Sequence, residues 1–110
     1  RVWQEGHGVV LSIHDACSRF PKEELHGLTS QLKRASASIA SNIAEGFGRS
    51  SAKVNKHFWI IADGSCYEAK NQLIIAKDLQ FITKLEYKVL LHKANSTYKL
   101  LYGLLRPHNV

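Results

Sequence analysis

Acidic residues are scarce in this chain. Nine Asp and Glu stand against fifteen Lys and Arg, giving a formal charge of +6 and a pI of about 9.5. Such a surface attracts polyanions such as nucleic acid, acidic proteins or anionic lipid, although many small proteins are basic without a specific partner. Cysteine is scarce too. Cys17 and Cys66 form no Cys-x-x-Cys pair, and two thiols make no disulfide framework. Both stand among apolar residues and read as buried free thiols of a reducing cytoplasm. Two prolines and seven glycines argue against a loop-rich all-β fold and against disorder. No apolar run approaches the roughly 20 residues that span a bilayer, and no signal-peptide pattern is visible. The chain opens at Arg1, not at methionine, which leaves room for further native residues and for a targeting segment ahead of it.

What is present is helical periodicity. The 110 residues suit one domain, 1–110, with a core burying roughly two-thirds of the unfolded surface. A first helix is predicted from Val2 to Ser18 on the stripe Val2, Val9, Ile13, Ala16 and Phe20, weakened early by Gly6 and Gly8. Pro21 fits the first turn of a second helix, with Glu23 and Glu24 at its positive end and Gly27 interrupting the start. The main second helix reads Leu28, Leu32, Ala35, Ile39, Asn42 and Ile43, and its Ala/Ser-rich middle predicts a tightly packed seam. Gly46-Phe47-Gly48 ends it, and Ser50 or Ser51 caps a third helix over 52–79. That helix carries two apolar stripes: Val54, Phe58, Ile61, Ser65, Gln72, Ile75 and Leu79, and Trp59, Ala62, Cys66, Ala69, Leu73 and Ala76. Two stripes predict more than one packing partner. Thr83-x-x-Glu86 is a capping box opening a fourth helix, which Pro107 ends. Short connections predict an all-α, antiparallel up-down-up-down four-helix bundle.

Catalytic and metal signatures are few. Gly46-Phe47-Gly48-Arg49 lacks the third glycine and preceding strand of a dinucleotide loop, and there is no Walker A sequence. None of His7, His14, His26, His57, His92 and His108 forms an i,i+4 pair or a Cys/His cluster. Glu45 and Glu68 fall close to apolar stripes; general acid–base chemistry is one reading, and hydrogen bonding that fixes helix register the stronger one. Asn42 is expected to pair with backbone at the seam. No enzyme, cofactor or metal is expected.

One feature rises above this background. At 100° per residue, Lys84, Lys88, His92, Asn95, Lys99 and Arg106 share a sector of about 80°, roughly 33 Å long. The fourth helix holds one acid, Glu86, so i,i+4 ion pairs do not lace it. A polyanion-binding face and an ordinary solvated face are both open readings. No aromatic is read among the stripe cations, so base stacking is not expected to lead. Lys33, Arg34, Arg49, Lys53 and Lys56 form a second basic group that reads equally as phosphate-binding or as plain surface. Leu85, Val89 and Leu100 lie off the main apolar face and suggest self-association.

The run from Phe20-Pro21-Lys22-Glu23-Glu24-Leu25 through Gly27-Leu28-Thr29-Ser30-Gln31-Leu32-Lys33-Arg34-Ala35 is distinctive. So are Ser38-Ile39-x-x-Asn42-Ile43-Ala44-Glu45-Gly46-x-x-Arg49 and Ala62-x-Gly64-Ser65-x-x-Glu68. Together they resemble the four-helix-bundle proteins encoded in intervening sequences of 23S ribosomal RNA genes, with accessory variability proteins of diversity-generating retroelements as relatives. The resemblance implies a bacterial protein without enzymatic activity that assembles as a pentamer around a positively charged channel. In the retroelement relatives it implies binding to reverse transcriptase and nucleic acid. Family members often carry proline after the Ser-Ile pair, where this chain has Ala40. The basic stripe is not part of the resemblance and stands on spacing alone. The combined expectation is a cytoplasmic, oligomeric bundle that binds RNA or DNA phosphates without sequence specificity, or else a scaffold for a partner protein, with no membrane contact.

Overall fold

Apolar residues three and four apart become helix at four places. The computed structural model describes residues 1–106. Helix α1 spans Val2–Cys17, α2 Leu28–Phe47, α3 Ala52–Asp78 and α4 Lys84–Leu105, with no strand among the described residues. Gly6 does not break α1. It is buried, and a Cβ there would meet Ile43 Cδ1 at 3.2 Å, so the missing side chain lets α1 lie close on α2. Pro21 opens one 3-10 turn, Lys22–Glu24, and not the first turn of α2. Gly27, at φ −113° and ψ −114°, separates the two, and the Glu24 carboxylate accepts the Leu28 N–H at 3.1 Å.

Caps set the remaining boundaries. Ser51 Oγ accepts the Val54 N–H at 3.2 Å and starts α3. At the other end of α3 the chain reverses through Gln80, at φ 63°. The Phe81 N–H donates to the Ala76 carbonyl and the Gln80 N–H to that of Lys77, the paired bonds of a Schellman close. Thr83 and Glu86 form both halves of the predicted capping box. Helix α4 ends at Leu105; Pro107, read as its terminator, lies outside the described residues, as does His108.

Each helix touches two others: α1 packs on α2 and α4, and α3 on α2 and α4. Their shared core holds Val9 and Ile13, then Leu32, Ile39 and Ile43, then Leu73, and Leu90 and Leu101. Each such Ile or Leu contributes about 1.5–3 kcal/mol relative to an exposed position. Helix α3 presents mostly small residues inward, Ala62, Cys66, Ala69 and Ala76, so its backbone sits near its neighbours. Along the α2–α3 seam Ser38 and Ser65 share a hydrogen bond of 2.7 Å, and Asn42 donates to the Ser38 carbonyl at 2.9 Å, the backbone pairing expected of it. Buried Ser36 and Thr97 donate to the carbonyls of Lys33 and Lys93.

Two expectations need correction. The carboxylates of Glu45 and Glu68 do not sit in the apolar seam; both residues are exposed, and Glu45 binds Arg49 at 2.7 Å. Of the two α3 stripes, the one with Trp59, Ala62, Cys66, Ala69, Leu73 and Ala76 faces its neighbours. The other is left largely outside, with Val54, Ile61, Ile75 and Leu79 exposed. Both thiols are buried, and burial pushes Cys66 up to about 12. No helix among the described residues is long and apolar enough to cross a membrane.

Candidate nucleic-acid interface

Helix α4 positions the basic stripe. The Thr83–Glu86 box fixes its first turn, and Leu90, Ala94, Thr97 and Leu101 anchor its opposite side in the core. Lys84, Lys88, His92, Lys99 and Arg106 are therefore all exposed. Among the described residues none of these cations has a carboxylate within ion-pair distance. The one acid of α4 is already engaged. Glu86 accepts from the Thr83 N–H at 3.0 Å and from Arg19 at 2.6 Å, so it lies below the usual carboxylate range, the backbone bond being the larger cause. Arg19 also binds Asp15 at 3.1 Å, tying the end of α1 to the start of α4.

The second basic group is not one cluster. Lys33 lies on the α1 side, where burial pushes the Cys17 thiol up and the Lys33 charge offsets part of that rise, and Arg34 follows it. Arg49, Lys53 and Lys56 lie some four helical turns further along, about 20 Å away. Arg49 is occupied by Glu45 and by the Phe58 ring, 5.1 Å from its centroid. Lys56 lies nearer the stripe, lining a hollow with Trp59, Gly103 and Leu104.

Aromatic side chains accompany the stripe after all. Tyr102 stands about five turns after Lys84, in the same angular sector, one turn from both Lys99 and Arg106. It is 56% exposed. Its ring lies 6.4 Å from that of Tyr98, whose hydroxyl meets Tyr67 Oη at 3.3 Å. Lys70 of α3 reaches across. Its ammonium sits 4.7 Å from the Tyr67 centroid and 4.6 Å from that of Tyr98, and donates to Asn95 Oδ1 at 3.2 Å. Asp63, one turn from Tyr67 on α3, is pushed up by burial while Lys70 pulls it down. Tyr102 was detectable from spacing; the Tyr67–Lys70–Tyr98 contact depends on how α3 and α4 are aligned, which spacing within one helix does not set.

Of the off-face apolar residues, Leu85 is 72% exposed and Val89 is exposed as well. With Leu11, Ser12, Ala16 and Leu90 they line an open groove of about 510 Å³ between α1 and α4. Leu100 does not join them; it packs against the core. Glu23 and His26 have the Glu-x-x-His spacing of bundle metal sites, but both are exposed at the 3-10 turn and its exit. Among the described residues no three His, Cys, Asp or Glu side chains gather as metal ligands.

The family model for the 23S rRNA-intervening sequence protein matches residues 1–103. The chain belongs to that family. A solved structure from Bacteroides thetaiotaomicron, described as a protein of unknown function from the S23 ribosomal protein family, superposes with a TM-score of 0.90 at 19% identity. The match covers 97% of this chain and all of that one, and at this identity it shows the fold alone. No curated protein matches the chain. The strings that carry the likeness to 23S rRNA-intervening sequence proteins have structural work here. In Asn42-Ile43-Ala44-Glu45-Gly46, Asn42 binds back to Ser38, and Ile43 is fully buried while its carbonyl accepts the Trp59 indole N–H at 3.3 Å. Gly46 lies beneath that indole, where a Cβ would overlap its nitrogen, and its carbonyl accepts from Asn55. Gly46 is thus a packing glycine, and Gly48 alone is the terminator. Helix α2 runs unbroken through Ala40.

Proposed function

We propose that this member of the 23S rRNA-intervening sequence protein family is a non-enzymatic, oligomeric, cytoplasmic bundle whose α4 face binds nucleic-acid phosphates without sequence specificity. The observation that carries the reading is the row of exposed cations Lys84, Lys88, Lys99 and Arg106 without a carboxylate partner among the described residues. Such a row releases counterions from a phosphate backbone, so affinity falls steeply with salt. Lys56, which borders the end of α4, extends the row; Lys33, Arg34, Lys53 and the paired Arg49 are secondary. The helices alternate in direction, a reading supported by the Arg19–Glu86 bond between the end of α1 and the start of α4. Assembly into a ring, a pentamer by family likeness, multiplies modest contacts. The exposed apolar residues on α3 and at Leu85 and Val89 give it surfaces to bury.

The test is charge reversal. Lys88→Glu with Lys99→Glu is expected to abolish retention on immobilised RNA at low salt, while the parent elutes with a steep salt dependence. Unchanged retention of the double variant rejects the α4 face. A second reading, a scaffold that holds a protein such as a reverse transcriptase, is favoured by the α1–α4 groove, whose Leu11, Leu85 and Val89 suit an apolar partner surface. A gene lying beside one for that enzyme supports the scaffold, and a gene inside a ribosomal RNA operon supports the first reading.

A further inference from the structure

We infer that the α3–α4 face is a single-strand site, on which unpaired bases stack against Tyr102 and Tyr67 while the α4 cations hold the phosphates. The inference rests on the nucleic-acid reading above and adds to it a choice of strand. Three observations carry it. First, Tyr102 lies in the cation row, with Lys99 one turn before it and Arg106 one turn after, and more than half of it is exposed. Tyr67, 54% exposed, stands across the seam. Second, the rings form one platform and are not isolated surface residues. Tyr102 neighbours Tyr98, Tyr98 meets Tyr67 edge to face at 5.6 Å, and the Lys70 ammonium lies over both of the latter rings. Lys70 is in turn held by Asn95, so the platform is ordered before any ligand arrives. Third, Lys84, Lys88, Lys99 and Arg106 have no carboxylate partner among the described residues, and a neutral apolar partner packed on the rings gains nothing from such a row of like charge.

The physical difference between strands is plain. A duplex hides its base faces within the stack, so it can pair its phosphates with the lysines but cannot stack on the tyrosines. A single strand offers both, and base–aromatic stacking is sequence-tolerant because every base has a π-face. An arginine or lysine beside the ring adds cation–π attraction. The chemistry therefore selects unpaired RNA or DNA without reading its sequence.

The experiment is fluorescence anisotropy at fixed low salt with three labelled probes of fifteen nucleotides: oligouridine, an abasic strand with the same phosphates, and an RNA duplex. Oligouridine is expected to bind roughly tenfold more tightly than the abasic strand, the size of one or two stacked bases. Tyr102→Ala is expected to remove about fivefold or more of the oligouridine affinity and none of the abasic affinity, and Tyr102→Phe to restore it. Tyr67→Ala gives a second reading of the same platform. Equal binding of oligouridine and the abasic strand overturns the inference while leaving the phosphate reading intact, provided Lys88→Glu with Lys99→Glu still abolishes both. Retained binding in that charge-reversal variant rejects the phosphate reading itself. Displacement by polyglutamate as effective as by oligouridine points to an acidic protein and overturns the base-stacking step.

Discussion

A methyl group added at Gly46 would overlap the Trp59 indole, whereas one added at Gly64 meets nothing within 4 Å. Both glycines are helical, and both carry the likeness to the family, yet physics separates them. Gly46→Ala is expected to cost about 1–3 kcal/mol through overpacking, and Gly64→Ala to gain about 0.5–1 kcal/mol by stiffening the unfolded chain. Urea unfolding of the two variants, read as shifts in midpoint of opposite sign, checks this pair. The sequence alone does not distinguish them. A glycine before Phe47-Gly48 reads naturally as a helix stop, and only the placement of Trp59, thirteen residues later, reveals the close approach. Arg49 was likewise legible as a cation but not as one already claimed by Glu45 and Phe58.

Side-chain caps are local events, so the starts of α3 and α4 were readable. Ser51 and Thr83 cap as their side chains require, and the residue spacing of α1, α2 and α4 picks out their buried faces. The Gln80 reversal was not readable, because the left-handed position of a Schellman close is ordinarily glycine. At the start of α4 the capping box has a measurable consequence. The Glu86 carboxyl is held below its ordinary range, so its contribution is present at neutral pH and is lost as pH falls through that lowered value. With the side chain about a third exposed, solvent screening keeps the contribution to at most about 1 kcal/mol. Glu86→Gln is therefore expected to be less stable than the parent at pH 7, by a margin that narrows as the pH is taken down to 3. Urea midpoints at the two pH values give the comparison, and an undiminished gap at pH 3 would mean that charge is not what the carboxylate supplies.

For the molecule as a whole, the four-helix fold and the basic face followed from patterns within single helices, while the aromatic platform and the bare α3 stripe depend on which helices meet. Two stripes on α3 predicted more than one packing partner; α3 does pack on both α2 and α4, but it does so chiefly through one stripe. Ile61, Ile75 and Leu79 form a longer apolar row than Leu85 and Val89, and no cation of the α4 row lies on it. If the protein assembles, Ile61→Glu with Ile75→Glu is expected to lower the mass seen by light scattering more than Leu85→Glu with Val89→Glu, and the reverse order would move the contact to α4. The interior has a quieter consequence. Both sulfurs are enclosed by the packed helices, and Cys66 is held protonated far above neutrality. A thiol-specific reagent therefore finds no thiol within reach until the rods separate. The rate at which it is consumed measures how often the fold comes apart, a built-in clock that requires no added label.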